Sequence, residues 1–260
     1  MALRKQVAKL VTGGPFEWFA REVFYAYVDH IPSPLLPTDV VRARDYDRQT
    51  IEIAARALAG DGNSIDVGAN AGHILKSLMK LSPMGSHWAF EPIPRFATHL
   101  REKFPNVTVR QLALSDHTGV ADFNYLPEDP AYSSLLKRPD LEAGMEVQSI
   151  RVDVRRLDDC IPRGVPIAFI KIDVEGVEAA VLRGAAQLLR NFKPVVVFEC
   201  AAMKLGDCMP TLEQAGLQIS LLVDYINGRK RTADEVMRIG GERGEFYFVA
   251  GPGCAAETVA

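Results

Sequence analysis

Two groups of residues have the types and spacing to do chemistry. The first is Asp66-Val67-Gly68-Ala69-Asn70-Ala71-Gly72, set between a short apolar run and a helical pattern. Glycines there let the chain bend sharply and let a ligand approach the backbone. The first strand-to-helix turn of an open parallel sheet lies near the switch point where ligands bind. A dinucleotide would need G-x-G-x-x-G, because its pyrophosphate rests on the helix N-terminus. This chain reads Gly68-x-Asn70-x-Gly72, without the third glycine. Asp66, just upstream, would oppose a pyrophosphate and suits a cation. S-adenosylmethionine (SAM) presents an α-ammonium and a sulfonium, so its sign is right. NAD at the same turn, in an oxidoreductase, is the competing reading. Glu91 follows Gly68 at close to the roughly 20-residue spacing of a ribose-binding acid and serves either nucleotide. Ser115-Asp116, after the third strand, meets the adenine edge or forms an ordinary polar turn.

The second group is Lys171-Ile172-Asp173-Val174-Glu175-Gly176-Val177-Glu178, which closes one strand and opens a helix. Asp173 and Glu175 fall at the carboxyl end of the strand, and Phe198-Glu199 brings a third acid to the same edge. Converging carboxylates are costly unless a cation, a donor or a proton offsets their repulsion. A structural role is also open: Glu175 and Glu178 suit a helix N-terminus, and Lys171 can pair with one acid. Methyl transfer from a sulfonium is an in-line displacement in which positioning supplies much of the rate. An aliphatic hydroxyl still has to lose its proton or bind a metal. Asp173 is the candidate base or ligand. Glu175 and Glu199 would hold acceptor hydroxyls or share a divalent cation such as magnesium with it. His73, at the start of the first helix after the turn, is a second candidate base.

The elements that must position these residues are legible as periodicity. Strands are expected at 64–67, 88–90, 107–112, 167–172, 194–198, 217–223 and 245–250, seven in all. Helices are expected at 71–81, 94–104 and 177–190 and from about 209. Such alternation means βαβ crossovers and a parallel sheet covered on both faces. Extended runs at 119–125 and 146–152, around Ser133-Ser134, interrupt it as a hairpin-like insertion. Ahead of the sheet, residues 15–30 carry Phe16, Phe19, Ala20, Val23, Phe24 and Tyr27 at helical spacing. That stripe is expected to pack on the main domain or on a sister subunit. The proline-rich connector 31–37 and a helix over about 45–59 follow. The division expected is an N-terminal helical arm or cap over 1–60 and a catalytic domain over 61–260.

Bulk properties bound the function. A hydrophobic share of 48% with 24% charged residues supports a sizeable core. The formal net charge of -3 lacks the basic excess of a nucleic-acid binder, so no nucleic-acid partner is expected. Arg229-Lys230-Arg231 reads as a solvated turn. Cys160, Cys200, Cys208 and Cys254 form no C-x-x-C pair, which argues against structural zinc and a disulfide framework. With no apolar run of about 18 residues and no secretory pattern at Met1–Gly14, a cytoplasmic location is expected.

Taken together, the residues resemble the FkbM family of SAM-dependent O-methyltransferases. The resemblance spans Ser64 to Glu199. It rests on Asp66–Gly72, Phe90-Glu91-Pro92, Ala113-Leu114-Ser115-Asp116, Ser133-Ser134-Leu135, Leu157-Asp158, Ile170–Glu178 with Leu182–Ala185, and Val197-Phe198-Glu199. It implies a Rossmann-like, doubly wound α/β class I methyltransferase sheet with the last strand antiparallel. It also implies O-methylation of a sugar, glycan or polyketide-type metabolite. By that resemblance Asp66, Gly68, Asn70, Gly72, Glu91 and Pro92 surround SAM, with Ser115 and Asp116 near adenine. Many relatives carry an aromatic and a small hydroxyl residue after the second glycine, where this chain has His73-Ile74-Leu75-Lys76. The segments outside the resemblance are expected to shape the acceptor site or a homodimer contact through the N-terminal helices. A catalytically silent SAM-binding module is a further alternative, against which the three acids at 173, 175 and 199 weigh.

Overall fold

Pro37 cannot donate a backbone hydrogen bond and its φ suits a helix start, so the chain turns from the extended connector straight into a long helix. The computed structural model describes residues 17–127, 129–136 and 146–252. It opens with α1 (Glu17–His30) and α2 (Thr38–Leu58). Then come β1 (Ser64–Val67), α3 (His73–Leu81), β2 (His87–Phe90), α4 (Pro94–Lys103) and β3 (Thr108–Arg110). The interruption consists of β4 (Ala113–Leu114), β5 (Gly119–Tyr125) and β6 (Gln148–Arg155). Alternation resumes with β7 (Phe169–Ile172), α5 (Glu178–Gly184), α6 (Ala186–Phe192) and β8 (Val195–Glu199). The described chain ends with α7 (Leu205–Gln214), β9 (Leu217–Leu221), α8 (Leu222–Ile226), α9 (Ala233–Arg243) and β10 (Tyr247–Pro252).

Seven strands form one sheet in the order β3-β2-β1-β7-β8-β10-β9. All pairs are parallel except those of β10, which runs antiparallel to both β8 and β9. The alternation implies the doubly wound, mostly parallel sheet, and the resemblance implies its class I methyltransferase form with the last strand antiparallel. The order reverses between β1 and β7, so the turns after these two strands face one crevice. β1, β2 and β7 are buried along their whole length, since helices cover both faces. Phe90, Phe169, Phe198 and Phe248 are among the largest fully buried side chains, each contributing about 1.5–3 kcal/mol by leaving water. The insertion is a second sheet, β4-β6-β5, in which β5 and β6 form the expected antiparallel ladder.

The structure corrects several boundaries. The second helix begins at Thr38, well before the expected start near residue 45. The helix expected over 177–190 is two short ones, broken at Ala185. α9 falls where no helix is expected from periodicity. Two arginines of the basic run, Arg229 and Arg231, pair with buried Asp224 instead of standing free in solvent.

In α1 the stripe divides: Phe24 lines the cavity of the main domain, while Phe19, Val23 and Tyr27 are 70%, 49% and 61% exposed on this chain. Polar and aromatic contacts also hold the helix. Buried Glu17 pairs with Arg95 at 2.5 Å, Glu22 pairs with Lys103 at 2.6 Å, and Trp18 stacks on His99 at 3.8 Å. Phe16 of the same stripe and Cys254 lie outside the described residues.

Candidate active site

A cavity of about 630 Å³ opens at the carboxyl ends of β1, β2, β7 and β8, within the roughly 300–1,000 Å³ of small-molecule sites. The turn after β1 forms its floor. Gly68 has φ +75°, and a Cβ there would lie 1.8 Å from the Asp173 carbonyl oxygen. Only glycine lets the β1 and β7 turns meet. Asn70 is also left-handed at φ +48°. Its own Oδ1 accepts from Ala71 N at 2.8 Å, which supports that conformation. Gly72 turns away from the cavity: a Cβ there would meet Phe104 and Leu100 at 2.5 and 2.7 Å. Its smallness serves the packing of α4 against the turn.

Asp66 and Glu91 face the same cavity. The Glu91 carboxylate accepts from Asn70 N at 2.8 Å and from Ile93 N at 2.9 Å. Burial pushes its carboxyl up to about 7 in spite of these two bonds. Asp66 is buried, and its Oδ1 accepts no hydrogen bond. Burial raises its carboxyl too, while Lys171, 3.5 Å away, pulls the other way. Pro92 and Asn70 complete this wall. Ser115 and Asp116 lie outside the lining. Asp116 instead pairs with His117 at 3.0 Å and Arg183 at 2.8 Å, which hold its carboxyl down at about 2. Leu112, Ala113, Leu114 and Phe123 occupy the cavity wall where those two residues are expected from the resemblance.

The three acids of the second group do converge. Asp173, Glu175 and Glu199 bring carboxylate oxygens within 4.8 Å of one another. Lys171 is the register partner of Asp66, and its ammonium bonds to Gly68 O at 3.0 Å. The same ammonium lies 3.3 Å from Asp173 Oδ2. Tyr247 donates its hydroxyl to that oxygen at 2.9 Å. Burial works against charge on Asp173, but Lys171 together with hydrogen bonds from Glu199 and Tyr247 prevails and holds its carboxyl below the usual range. Glu199 goes the other way: burial first, then the Asp173 charge, push it well up, so it carries the proton between them. Glu175 sits at φ +58°, and its carbonyl accepts from the buried Ser134 hydroxyl at 2.8 Å. Glu178 has the helix-start role open to it, accepting from Gly176 N at 2.8 Å.

His73 lines the same cavity from the first turn of α3. Its ring stacks on Tyr25 of α1 at 4.2 Å, and Nε2 lies 3.6 Å from Asp47 of α2. Burial lowers its pKa, so the imidazole is neutral at pH 7. Tyr25, Asp47 and Tyr247 do not stand out in the sequence, because no local pattern ties them to the turn. They reach it only through the docking of α1 and α2 and the antiparallel pairing of β10.

Removing Lys171 should be costly. Lys171→Met removes the cation beside buried Asp66 and half-buried Asp173, a loss of about 3 kcal/mol at neutral pH. In the variant those acids titrate above their unfolded values, so its stability falls as pH rises. Urea unfolding at pH 5 and pH 7.5 should therefore show the deficit growing at the higher pH. An equal deficit at both would mean that Lys171 acts by packing alone.

The chain matches the family model described as the methyltransferase FkbM domain over residues 66–219. It is 30% identical over 141 residues to the 2-O-methyltransferase NoeI of Sinorhizobium fredii, covering 48% of this chain and 58% of that protein. Methyltransferase 1 of Beauveria bassiana is 28% identical over 145 residues, with the same 48% and 58% coverage. The chain thus spans less than two thirds of the curated relatives it matches. Among solved structures, a methyltransferase FkbM from Methylobacillus flagellatus KT is similar at 20% identity and a TM-score of 0.47, covering 74% of this chain and 44% of that one. The matched domain takes in more than half of the chain and both of the segments that frame the cavity. On that ground the chain belongs to the FkbM family of SAM-dependent methyltransferases.

Proposed function

We propose that this chain transfers a methyl group from SAM to a hydroxyl oxygen of a small acceptor, a sugar, glycan or polyketide-type metabolite. One observation carries the reading: the buried Asp66 carboxylate, met by Lys171 only at 3.5 Å, shares a cavity with an ionised Asp173. The residues present fit SAM. The buried Asp66 carboxylate suits a cationic group, the glycine turn leaves room against the backbone, and Glu91 stands at the end of β2 for ribose hydroxyls. When bound, SAM supplies an electrophilic methyl on a sulfonium with a neutral thioether as leaving group.

The chain's own residues then have two tasks. Asp66, Gly68, Asn70, Glu91 and Pro92 hold the donor, and Asp173 takes the proton of the acceptor hydroxyl. Glu175 and Glu199 orient acceptor hydroxyls beside it. Neutral His73, braced by Asp47 and Tyr25, is the alternative base. Transfer by this route needs no divalent cation. Lys171, the Tyr247 hydroxyl and the Glu199 proton already offset the clustered acids. α1 and α2, the described part of the expected N-terminal arm, act as a cap on the acceptor side; Phe24, Tyr25 and Val28 of α1 and Tyr46 and Asp47 of α2 line the cavity. Likeness to NoeI, a 2-O-methyltransferase, supports an oxygen acceptor.

Isothermal titration against SAM, S-adenosylhomocysteine and NAD tests the donor. Both sulfur nucleosides should bind in the micromolar range and NAD should not; tight NAD binding instead would sink the proposal. In a radiolabelled methyl-transfer screen over hydroxyl acceptors, EDTA should leave the rate unchanged. Loss of turnover on chelation, restored by magnesium, would move Asp173, Glu175 and Glu199 to a metal-binding role.

A further inference from the structure

We propose that Tyr247 is a positioning residue for Asp173, fixing which carboxylate oxygen faces the acceptor; this rests on Asp173 being the base. Tyr247 opens β10 and is the register partner of Glu199 across the antiparallel ladder. It lies beyond the 66–219 segment that the family model matches. Its hydroxyl donates to Asp173 Oδ2 at 2.9 Å, and the Lys171 ammonium stands 3.3 Å from the same atom. Two donors on Oδ2 leave Oδ1 as the oxygen for the Glu199 proton and for an incoming hydroxyl. A carboxylate rotating freely about χ2 would offer either oxygen and hold neither in line with the methyl group.

The ring is held as firmly as the hydroxyl. Tyr46 of α2 packs on it at 4.8 Å and Phe246 at 5.7 Å, and Tyr46 is itself tied by its hydroxyl to Glu245. The N-terminal region therefore reaches the base through one aromatic contact from α2. Burial and the nearby acids keep the Tyr247 phenol protonated, so it stays a donor across the working pH range. The other charged groups facing Asp173 and Tyr247 are Asp66 on β1, Asp47 on α2, Glu178 on α5, Glu199 on β8 and Glu175 on the loop after β7. Apart from Glu199, which already shares its proton with Asp173, none of these carboxylates can act as a donor while ionised.

Tyr247→Phe removes the donor and keeps the ring. A ¹³C-aspartate titration of the whole chain, with the Asp173 signal assigned by its loss in Asp173→Asn, reads the effect without any acceptor. The Asp173 midpoint should rise by about one pH unit, because a hydrogen bond to the charged form is lost. 3-Fluorotyrosine installed at 247 makes the phenol a stronger donor and should lower the midpoint. With an acceptor in hand, Tyr247→Phe should reduce kcat about tenfold. The KM for SAM should stay within about twofold, and the acidic limb should move up with the midpoint. An unmoved midpoint in both variants, or a moved midpoint with unchanged kcat, overturns the proposal. A chain that transfers no methyl to any hydroxyl refutes the proposed function, and the titration then still decides whether Tyr247 holds Asp173.

Discussion

Asp173→Asn should slow methyl transfer by roughly 10²–10⁴-fold, the usual contribution of a positioned base. The amide is nearly isosteric and can still accept from Tyr247, but it cannot take a proton from the acceptor. Affinity for S-adenosylhomocysteine should change little, since Asp66 and Glu91 face the donor and Asp173 stands at the end of the neighbouring strand. The sign of the wild-type pH dependence follows from the lowered carboxyl of Asp173. Its ionised form persists as pH falls through the ordinary carboxylate range, so the rate should hold there and drop only below it. Single-turnover assays from pH 3.5 to 8 would check both expectations. Full turnover in Asp173→Asn would remove this residue from the reaction and leave His73 as the base.

Gly68→Ala should abolish donor binding and cost the fold about 4 kcal/mol or more, in the exceptional class of single substitutions. Two effects combine. The left-handed φ of +75° costs a side chain about 1–2 kcal/mol. The new Cβ would also stand 1.8 Å from the Asp173 carbonyl oxygen, which is backbone and cannot swing aside. Relief requires the β1 and β7 turns to separate, and that moves the floor of the cavity. Gly164 makes a useful control, since at φ +81° a Cβ added to it would meet nothing within 4 Å. Gly164→Ala should therefore show the conformational cost alone. Calorimetric titration with S-adenosylhomocysteine and thermal unfolding of both variants would separate clash from strain. Similar behaviour of the two would refute the close approach.

Strand residues buried on both faces are the most legible part of the chain. Ser64–Val67 matches its expected limits, as does Gly119–Tyr125 in the insertion, because flanking turn residues fix both ends. The turn from Asp66 to Gly72 is legible for a related reason: few residues tolerate its backbone. Helix limits are less so. α9 starts at a capping box, in which Thr232 and Glu235 satisfy each other's backbone, a signal present in the sequence. Gly240 and Gly241 later in that helix weaken its helical pattern and mask the box. In α1, periodicity locates the helix but does not say which part of its apolar stripe meets this chain. Ion pairs from Glu17 and Glu22 and the stack of Trp18 on His99 decide its docking, and apolar spacing does not report on such contacts. At the site, Asp173 and Glu199 can be placed together from strand order alone. Tyr247 cannot, since nothing local says that β10 inserts beside β8.

The cavity draws on stretches of chain far apart in sequence. Its floor comes from the turns after β1, β2 and β7, while α1, α2 and the start of β10 supply the opposite wall. A substitution in that wall, at Phe24 or Val28 for instance, leaves the glycine bend and its flanking acids untouched. Selection can therefore retailor what enters the cleft while the donor's seat stays as it is, and the two halves of the pocket are free to change at different speeds.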